Sequence, residues 1–201
     1  MDESLGTRRI EAFSDGIFGI AATLLILDVS VHGGRPLTDE LLRIWPSYIA
    51  YVTSFLTIVI IWVNHHAIFE KVERTDRTLF FLNALLLLVV AFIPFPTRLV
   101  ADFLGENGER AAVIVYGLTM TCLAIVFMAL WLYVSVGRRL LREDVPQTAV
   151  DDITRSYLPG FPVYSSATAL AFASPLASVI IYLALAVFFS VPPAWLRRTQ
   201  P

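Results

Sequence analysis

The sequence predicts an all-α membrane protein, a single domain with six transmembrane helices. Hydrophobic residues make up 57% of the 201 positions, charged residues make up 16%, and the mean hydropathy is +0.70. A soluble domain usually contains about 45–50% apolar and ~25% charged residues. Apolar stretches recur along the chain, and the polar connections between them leave no room for a soluble domain. This composition is typical of multi-spanning membrane proteins.

The spans are predicted from length, because a helix needs about 20 mostly apolar residues to cross the hydrocarbon core. They cover residues 13–31, 45–69, 79–96, 111–136, 153–173 and 175–191. Pro94 and Pro96 are predicted to end the third span, since proline cannot continue the hydrogen bonding of a helix. Pro192 and Pro193 are expected to end the sixth span for the same reason.

The fifth span is the weakest of the six, because Pro159, Gly160 and Pro162 interrupt its first half. In one interpretation the span is a kinked or interrupted helix, which can line a cavity or a gate. In the other, a cytoplasmic helix ends at Pro159 and a short span follows. The polar stretch before it, residues 138–154, is expected to be amphipathic.

The orientation is predicted from lysine and arginine, which concentrate in cytoplasmic connections. Six spans with a cytoplasmic N-terminus place most of these residues inside: Arg8, Arg9, Lys71, Arg74, Arg77, Arg138, Arg139, Arg142, Arg155, Arg197 and Arg198. The outer side then carries Arg35, Arg43, Arg98 and Arg110. Both termini are therefore expected in the cytoplasm. The first span follows Met1-Asp2-Glu3 without a small-residue cleavage site, so it is expected to be retained.

Polar residues stand at the entrance of the first span, where Arg9, Phe13, Ser14 and Asp15 precede an apolar helix. Arginine, serine and aspartate at a membrane boundary are costly to bury, which favours a functional role. On a helical wheel Asp15 lies about 140° from Ile20. The polar groups and the mid-membrane apolar residues therefore point in different directions.

One face of the first span carries Ile20, Leu24 and Leu27, at spacings of four and three, with Thr23 at its border. Such a stripe is common on any membrane helix, where it faces lipid or the protein core. The polar residues just before it make a pore-lining role the alternative.

The second span ends in a polar group, Trp62-Val63-Asn64-His65-His66. Trp62 lies three and four residues before the two histidines, which predicts a shared face. This end lies at the depth of Asp15, so a hydrogen-bonded cluster is expected. Its predicted members are Ser14, Asp15, Asn64 and either His65 or His66, and Asn83 at the start of the third span is a further candidate.

No metal site is predicted at the two histidines, because neighbouring helical residues lie about 100° apart and are poorly placed to ligate one ion. Proton sensing is an alternative role, since histidine titrates near neutral pH. A structural hydrogen-bonding role is the leading interpretation.

The residues Arg9, Phe13, Ser14 and Asp15 match the RxxxFSD signature of the transmembrane protein 175 family, tetrameric potassium channels of lysosomes and prokaryotic membranes. The chain resembles this family along nearly its whole length in span count and order. Members with one six-helix unit are the prokaryotic homotetramers. The resemblance therefore implies a homotetramer with the first helix lining a central pore.

The resemblance also implies the pore residues. The narrowest constriction in the family falls on Ile20, two further apolar layers fall on Leu24 and Leu27, and a threonine near the filter falls on Thr23. The signature residues join helices and do not contact the ion. Because the chain has no TVGYG-like segment, an apolar ring without ion ligands is the expected filter. Potassium holds its water less tightly than sodium, so modest potassium selectivity is expected.

Other functions stay open, and one of them is a structural membrane protein without transport. The same scaffold can conduct protons or cations without selectivity, and a small secondary transporter is a different class. The nearly complete lack of ionisable residues at mid-membrane disfavours ion-coupled transport. An enzyme is not expected, because no nucleophile motif accompanies the polar cluster. The expected partners are K⁺ and membrane lipid at the plasma membrane, with no cofactor and no nucleic acid.

Overall fold

The computed structural model describes residues 3–31, 34 and 36–190, which form a bundle of helices with one isolated β-bridge between Val72 and Leu141. The α-helices are α1 (Glu3–Leu24), α2 (Leu37–Arg43), α3 (Trp45–Phe69), α4 (Arg77–Phe92), α5 (Pro94–Phe103), α6 (Glu109–Ser135), α7 (Gln147–Tyr157), α8 (Gly160–Leu170) and α9 (Pro175–Phe189). Short 3₁₀ helices continue α1 over Leu25–Asp28 and α6 over Val136–Arg138. The described part of the chain is therefore all-α apart from this single bridge.

Four helical stretches of the described chain are long and apolar enough to cross a membrane: Gly6–Asp28, Trp45–Phe69, Arg77–Phe103 and Glu109–Arg138. The second coincides with the predicted span. The first begins before residue 13 and ends at Asp28, three residues before the predicted end. The fourth extends the predicted span by two residues at each end.

The third span corrects a prediction, because the helix does not end at Pro94 and Pro96. Only Ile93 separates α4 from α5, and its backbone is itself right-handed helical, with φ −52° and ψ −41°. Pro94 stands at the start of α5, where the missing N–H would have had no helical partner. The two prolines therefore begin a new helical segment, and the span continues to Phe103.

The predicted fifth and sixth spans are shorter in the structure. The fifth is divided, because α7 ends at Tyr157 and α8 begins at Gly160. This break agrees with a separate helix ending near Pro159 and a short helix after it. At 1.5 Å per residue, α8 and α9 are about 16 and 22 Å long, against a hydrocarbon core of ~30 Å. The predicted end of the sixth span, at Val191 and the two prolines after it, lies outside the described residues.

The core of the bundle lies around α3 and α6. Helix α6 packs against α4, α5 and α8, whereas α3 packs against α1, α5 and α9. Gly117 permits a close approach, since a Cβ there would lie 2.2 Å from the hydroxyl oxygen of Tyr182. Ser54 on α3 bonds both Thr97 (2.7 Å) and Tyr116 (3.1 Å), which satisfies hydroxyls that lipid cannot satisfy.

Two connections meet at one end of the bundle. The backbone N–H of Glu73 donates to the carbonyl of Leu140 (2.9 Å), and that of Arg142 donates to the carbonyl of Lys71 (3.0 Å). These bonds join the α3–α4 connection to the segment that follows α6. Most of the described lysine and arginine residues after α1 belong to this end, and Arg35, Arg197 and Arg198 lie outside the described residues.

Asp76 organises the same end. Its carboxylate caps α4 by accepting from the N–H of Leu79 (2.8 Å) and also accepts from Tyr133 (2.6 Å) and Arg139 (2.8 Å). Partial burial raises the pKa of Asp76, but these hydrogen bonds and the guanidinium charge offset that effect and hold the pKa below its usual value.

Candidate functional site

A buried hydrogen-bond chain joins the first helix to two others. The amide nitrogen of Asn83 on α4 donates to Ser14 Oγ on α1 (3.0 Å), and His65 Nε2 on α3 donates to the Asn83 carbonyl oxygen (2.8 Å). Ser14 Oγ itself donates to the carbonyl of Ile10 (2.8 Å). All three polar side chains are at most 2% exposed. This Ser14–Asn83–His65 chain holds the buried side of α1 against α3 and α4.

Aromatic side chains enclose the histidine of this chain. The His65 ring stacks on Phe69 with 4.4 Å between centroids, and Phe18 of α1 lies 5.3 Å away in a tilted arrangement. The ring is therefore held among apolar groups, and its Nε2–H has one acceptor. This environment favours a fixed structural role for His65.

A second bond joins α1 to α3 closer to the surface. Trp62 Nε1 donates to Asp15 Oδ1 (2.8 Å), and the Trp62 side chain is 42% exposed. Asp15 and Ser14 are neighbours in sequence but bond to different partners. The two connections together set the rotation of α1 relative to the bundle.

Of the two candidate histidines, His65 is the one that joins this network, whereas the predicted place of Asn64 in it was wrong. The Asn64 amide donates to the carbonyl of Ile60 (2.8 Å) and accepts from Tyr157 of α7 (3.2 Å). His66 is exposed, with its ring nitrogens 3.9 Å from Glu11 and 3.4 Å from Glu70. Neighbouring residues differ by about 100° around α3. The two histidines therefore do not share a face, and only His65 points inward.

The opposite side of α1 is open and apolar. Ile20 is 61% exposed, Leu24 44% and Leu27 71%, whereas Phe18, Ala21 and Leu25 are buried. Leu27 lies in the 3₁₀ helix, where three residues complete a turn, so it points in the same direction as Leu24. The predicted shared face of Ile20, Leu24 and Leu27 therefore exists, and no described part of the chain covers it.

Small residues border this open face. A Cβ added to Gly16 or Gly19 would meet no other atom within 4 Å beyond the local helix turn. Thr23 is also exposed, and its hydroxyl donates back to the carbonyls of Gly19 (3.0 Å) and Ile20 (2.9 Å). A second copy of the chain can therefore approach α1 closely along this side.

The first two signature positions lie on the open side as well. Phe13 is 62% exposed, and Arg9 is exposed, with no hydrogen bond or ion pair of its side chain to the described residues. Ser14 and Asp15 bond within the chain, but Arg9 and Phe13 do not. The signature is thus divided between Ser14 and Asp15, which bond to other helices, and Arg9 and Phe13, which face outward.

Known proteins similar to this chain are channels. The family model described as endosomal/lysosomal potassium channel TMEM175 matches residues 9–94. A potassium channel of Chamaesiphon minutus is 44% identical, covering 94% of this chain and 96% of that protein. A crystal structure described as a lysosomal potassium-selective channel TMEM175 homolog from the same organism aligns with a TM-score of 0.85 at 42% identity, over 97% of this chain and 99% of that one. The chain belongs to the TMEM175 family.

Animal TMEM175 proteins are more distant and longer. The Gallus gallus protein, described as an endosomal/lysosomal proton channel, is 33% identical over 65% of this chain, which spans only 28% of the animal protein. The TMEM175 match over residues 9–94 contains both α1 connections, Ser14–Asn83–His65 and Asp15–Trp62. The family assignment made from the signature is confirmed.

Some partners in this TMEM175 chain escaped the sequence analysis. Phe18 lies four residues after Ser14 on the same buried stripe, so helical spacing could have identified it. Tyr157 and Glu11 carry no comparable signal, because their partners Asn64 and His66 are on other helices. Periodicity shows which residues share a face of one helix, but it does not show which helix that face meets.

Proposed function

We propose that this chain is a potassium channel of the plasma membrane, a homotetramer in which four α1 helices line a central pore. The observation that carries the proposal is the open apolar face of α1. It lies opposite the side of the helix that bonds to α3 and α4. The α1 span is the least buried of the four long spans. In its most apolar part 22% of the residues are buried, against 33–50% in the other three. Its open face is held in one direction by the buried bonds of Ser14 and by the Asp15–Trp62 bond. Four such faces around an axis would enclose a narrow apolar pore.

The filter is formed by rings of Ile20, Leu24 and Leu27, with Thr23 beside them. Aliphatic side chains offer an ion no ligands in place of water, so an ion must lose part of its hydration to pass. Potassium loses water more readily than sodium, which yields modest selectivity. A narrow apolar ring can also close by losing its water, so the same residues would form the gate. Conduction by this route requires no cofactor.

The proposed subunit has six membrane segments, of which the shorter helices α8 and α9 form part of the fifth and sixth. Their close packing on α6 and α3 supports this, because both lie alongside the long spans. An even number of spans places both termini on one side, and the lysine and arginine distribution assigns that side to the cytoplasm. The exposed Arg9 and Phe13 are then available for contacts between subunits. A native mass of four chains of 22.4 kDa each would support the assembly.

The test is the reversal potential of the purified, reconstituted protein with K⁺ on one side and Na⁺ on the other. A potential shifted toward the K⁺ equilibrium value is expected. Ile20→Asn should reduce this shift, because a polar side chain lets hydrated Na⁺ pass. Ile125→Asn is the matched control, an equally apolar residue that is 48% exposed on α6. Equal effects of the two substitutions would remove Ile20 from the filter.

Proton conduction is the second candidate, favoured by the description of the animal relatives as proton channels. A pH gradient with impermeant ions on both sides separates the two functions. A current that follows the proton gradient alone would replace the potassium assignment, whereas a current that needs K⁺ would support it.

A further inference from the structure

A large apolar cavity lies between helices of the bundle, and none of its described lining residues belongs to α1. It has a volume of about 700 Å³ and is enclosed by α3, α6, α8 and α9 and by the end of α7. Its apolar walls include Ile60, Ile61, Leu123, Phe127, Val163 and Leu185. Binding pockets for small molecules typically have volumes of ~300–1,000 Å³ and mostly hydrophobic walls. Phe188, a lining residue that is 69% exposed, shows that the cavity opens to the outside of the bundle.

Polar groups are concentrated at one end of this cavity. Asn64 and Tyr157 bond to each other there, and Arg155 and Ser156 belong to the same end of α7. Arg155 is exposed, and it has no hydrogen bond or ion pair with the described residues. The described lining residues include no aspartate or glutamate. The end of the cavity therefore carries a positive charge that the described chain does not neutralise.

The position of the cavity relates these two features to a membrane. Its polar end lies where α3 and α7 end, beside the connections that carry Lys71 and Arg142. In the orientation proposed above, this is the cytoplasmic membrane boundary, and the apolar walls extend from it toward the middle of the membrane. Arginine is well suited to bind phosphate there, because its planar guanidinium donates two parallel hydrogen bonds.

We propose that this cavity binds an anionic membrane phospholipid, with one acyl chain between α3, α6, α8 and α9 and the phosphate on Arg155. Charge complementarity selects this occupant, since a neutral apolar molecule would leave the guanidinium unpaired. Asn64 and Ser156 supply further polar contacts beside the headgroup. The proposal depends on the membrane orientation but not on ion selectivity, so a failure of potassium conduction would leave it standing.

The test is native mass spectrometry of the detergent-purified full chain with added phosphatidylglycerol or phosphatidylcholine. The wild type should retain phosphatidylglycerol severalfold more than phosphatidylcholine. Arg155→Gln should abolish this preference while lipid is still bound. Arg142→Gln is the matched control, because it removes the same charge from an exposed arginine that pairs with Asp144 outside the cavity. Equal retention of the two lipids by the wild type, or equal effects of the two substitutions, would overturn the proposal.

A second pair of variants tests the apolar part of the cavity. Val163→Trp and Leu185→Trp enlarge half-buried lining side chains, one on α8 and one on α9, and each should reduce retention of both lipids severalfold. Glycerol phosphate, which has the headgroup charge and no acyl chain, should not compete. Effective competition would indicate a simple phosphate site. Wild-type protein that retains no lipid would indicate that a neighbouring subunit or another part of the chain fills the cavity, and it would also overturn the proposal.

Discussion

One side chain, Asn83, joins three helices through a single amide. Its nitrogen donates to Ser14 of α1, and its oxygen accepts from His65 of α3. No water is available within a membrane to replace either bond. Asn83 therefore both holds α1 against the bundle and fixes the direction in which the open face of α1 points.

Replacing Asn83 by leucine is expected to destabilise the protein by about 1–3 kcal/mol, because Ser14 and His65 would each lose a buried partner. The thermal unfolding of the purified protein in detergent measures this loss. Asn107→Leu is the matched control, since Asn107 is exposed in the turn before α6. Equal unfolding temperatures for the two variants would show that the buried amide contributes nothing specific.

The carboxylate of Asp76 makes stability depend on pH. Its pKa is lowered in the folded protein, so its contribution is present above the ordinary carboxyl pKa of ~4 and is lost as the pH falls through the lower folded value. Asp76→Asn keeps a capping side chain but loses the charge interaction with Arg139. We expect the variant to unfold at a lower temperature than the wild type at neutral pH.

The same comparison at a pH well below 4 should give nearly equal unfolding temperatures, because the wild-type carboxylate is then protonated. Asp152→Asn changes an exposed aspartate on α7 and should show no comparable loss at neutral pH. A difference between Asp76→Asn and wild type that persists unchanged into acid would contradict the charge argument.

At the scale of helices, Gly117 determines how closely α6 approaches α8 and α9. An added Cβ would lie 2.2 Å from the Tyr182 hydroxyl and 2.3 Å from Thr168 Oγ1, and these two groups bond to each other at 3.0 Å. Gly117→Ala must separate them or displace a helix, at an expected cost of about 1–3 kcal/mol. Thermal unfolding measures the change.

Gly160→Ala is the control, because Gly160 also lies at the contact between α6 and α8. A Cβ at Gly160 would lie 3.6 Å from the Cβ of Ala124, which is an ordinary van der Waals distance. We expect this variant to unfold at or near the wild-type temperature. If Gly117→Ala is equally well tolerated, the interface between α6 and the last two helices is looser than its geometry indicates.

The sequence predicted the elements whose signal lies within one helix. Length and hydropathy identified the four long spans, and helical spacing identified the open face of Ile20, Leu24 and Leu27. Predictions were wrong at two positions, for different reasons. Pro94 began a helix that continues the span, because a proline can start a helical segment as well as end one, and Asn64 turned toward Tyr157 of α7. A helical wheel does not show where the neighbouring helix lies.

At the scale of the whole molecule, the subunit has an apolar face on α1 that no described part of the chain covers. The open side of α1 combines exposed aliphatic residues with glycines that permit close approach, Gly16 and Gly19. The back of the same helix is bonded to α3 and α4. Lipid could cover the aliphatic residues, so exposure alone does not distinguish a lipid-facing surface from a pore. Access to water does distinguish them.

Leu27→Cys tests that access in a Cys122→Ser background, which removes the single native cysteine, an exposed residue on α6. A charged, water-soluble thiol reagent should react with Cys at position 27 and block most of the current, because a pore-lining thiol ionises and reacts only where water reaches it. Ile26→Cys is the matched control at the same depth, because Ile26 is 50% exposed but turned about 120° around the 3₁₀ helix.

Block at position 27 without block at position 26 would place the Leu27 side of α1 along the ion path. Equal block at both positions would mean that water surrounds this helix end and that its orientation does not define the pore. Reaction at neither position would leave Leu27 facing lipid, and the pore would then have to be lined by another helix.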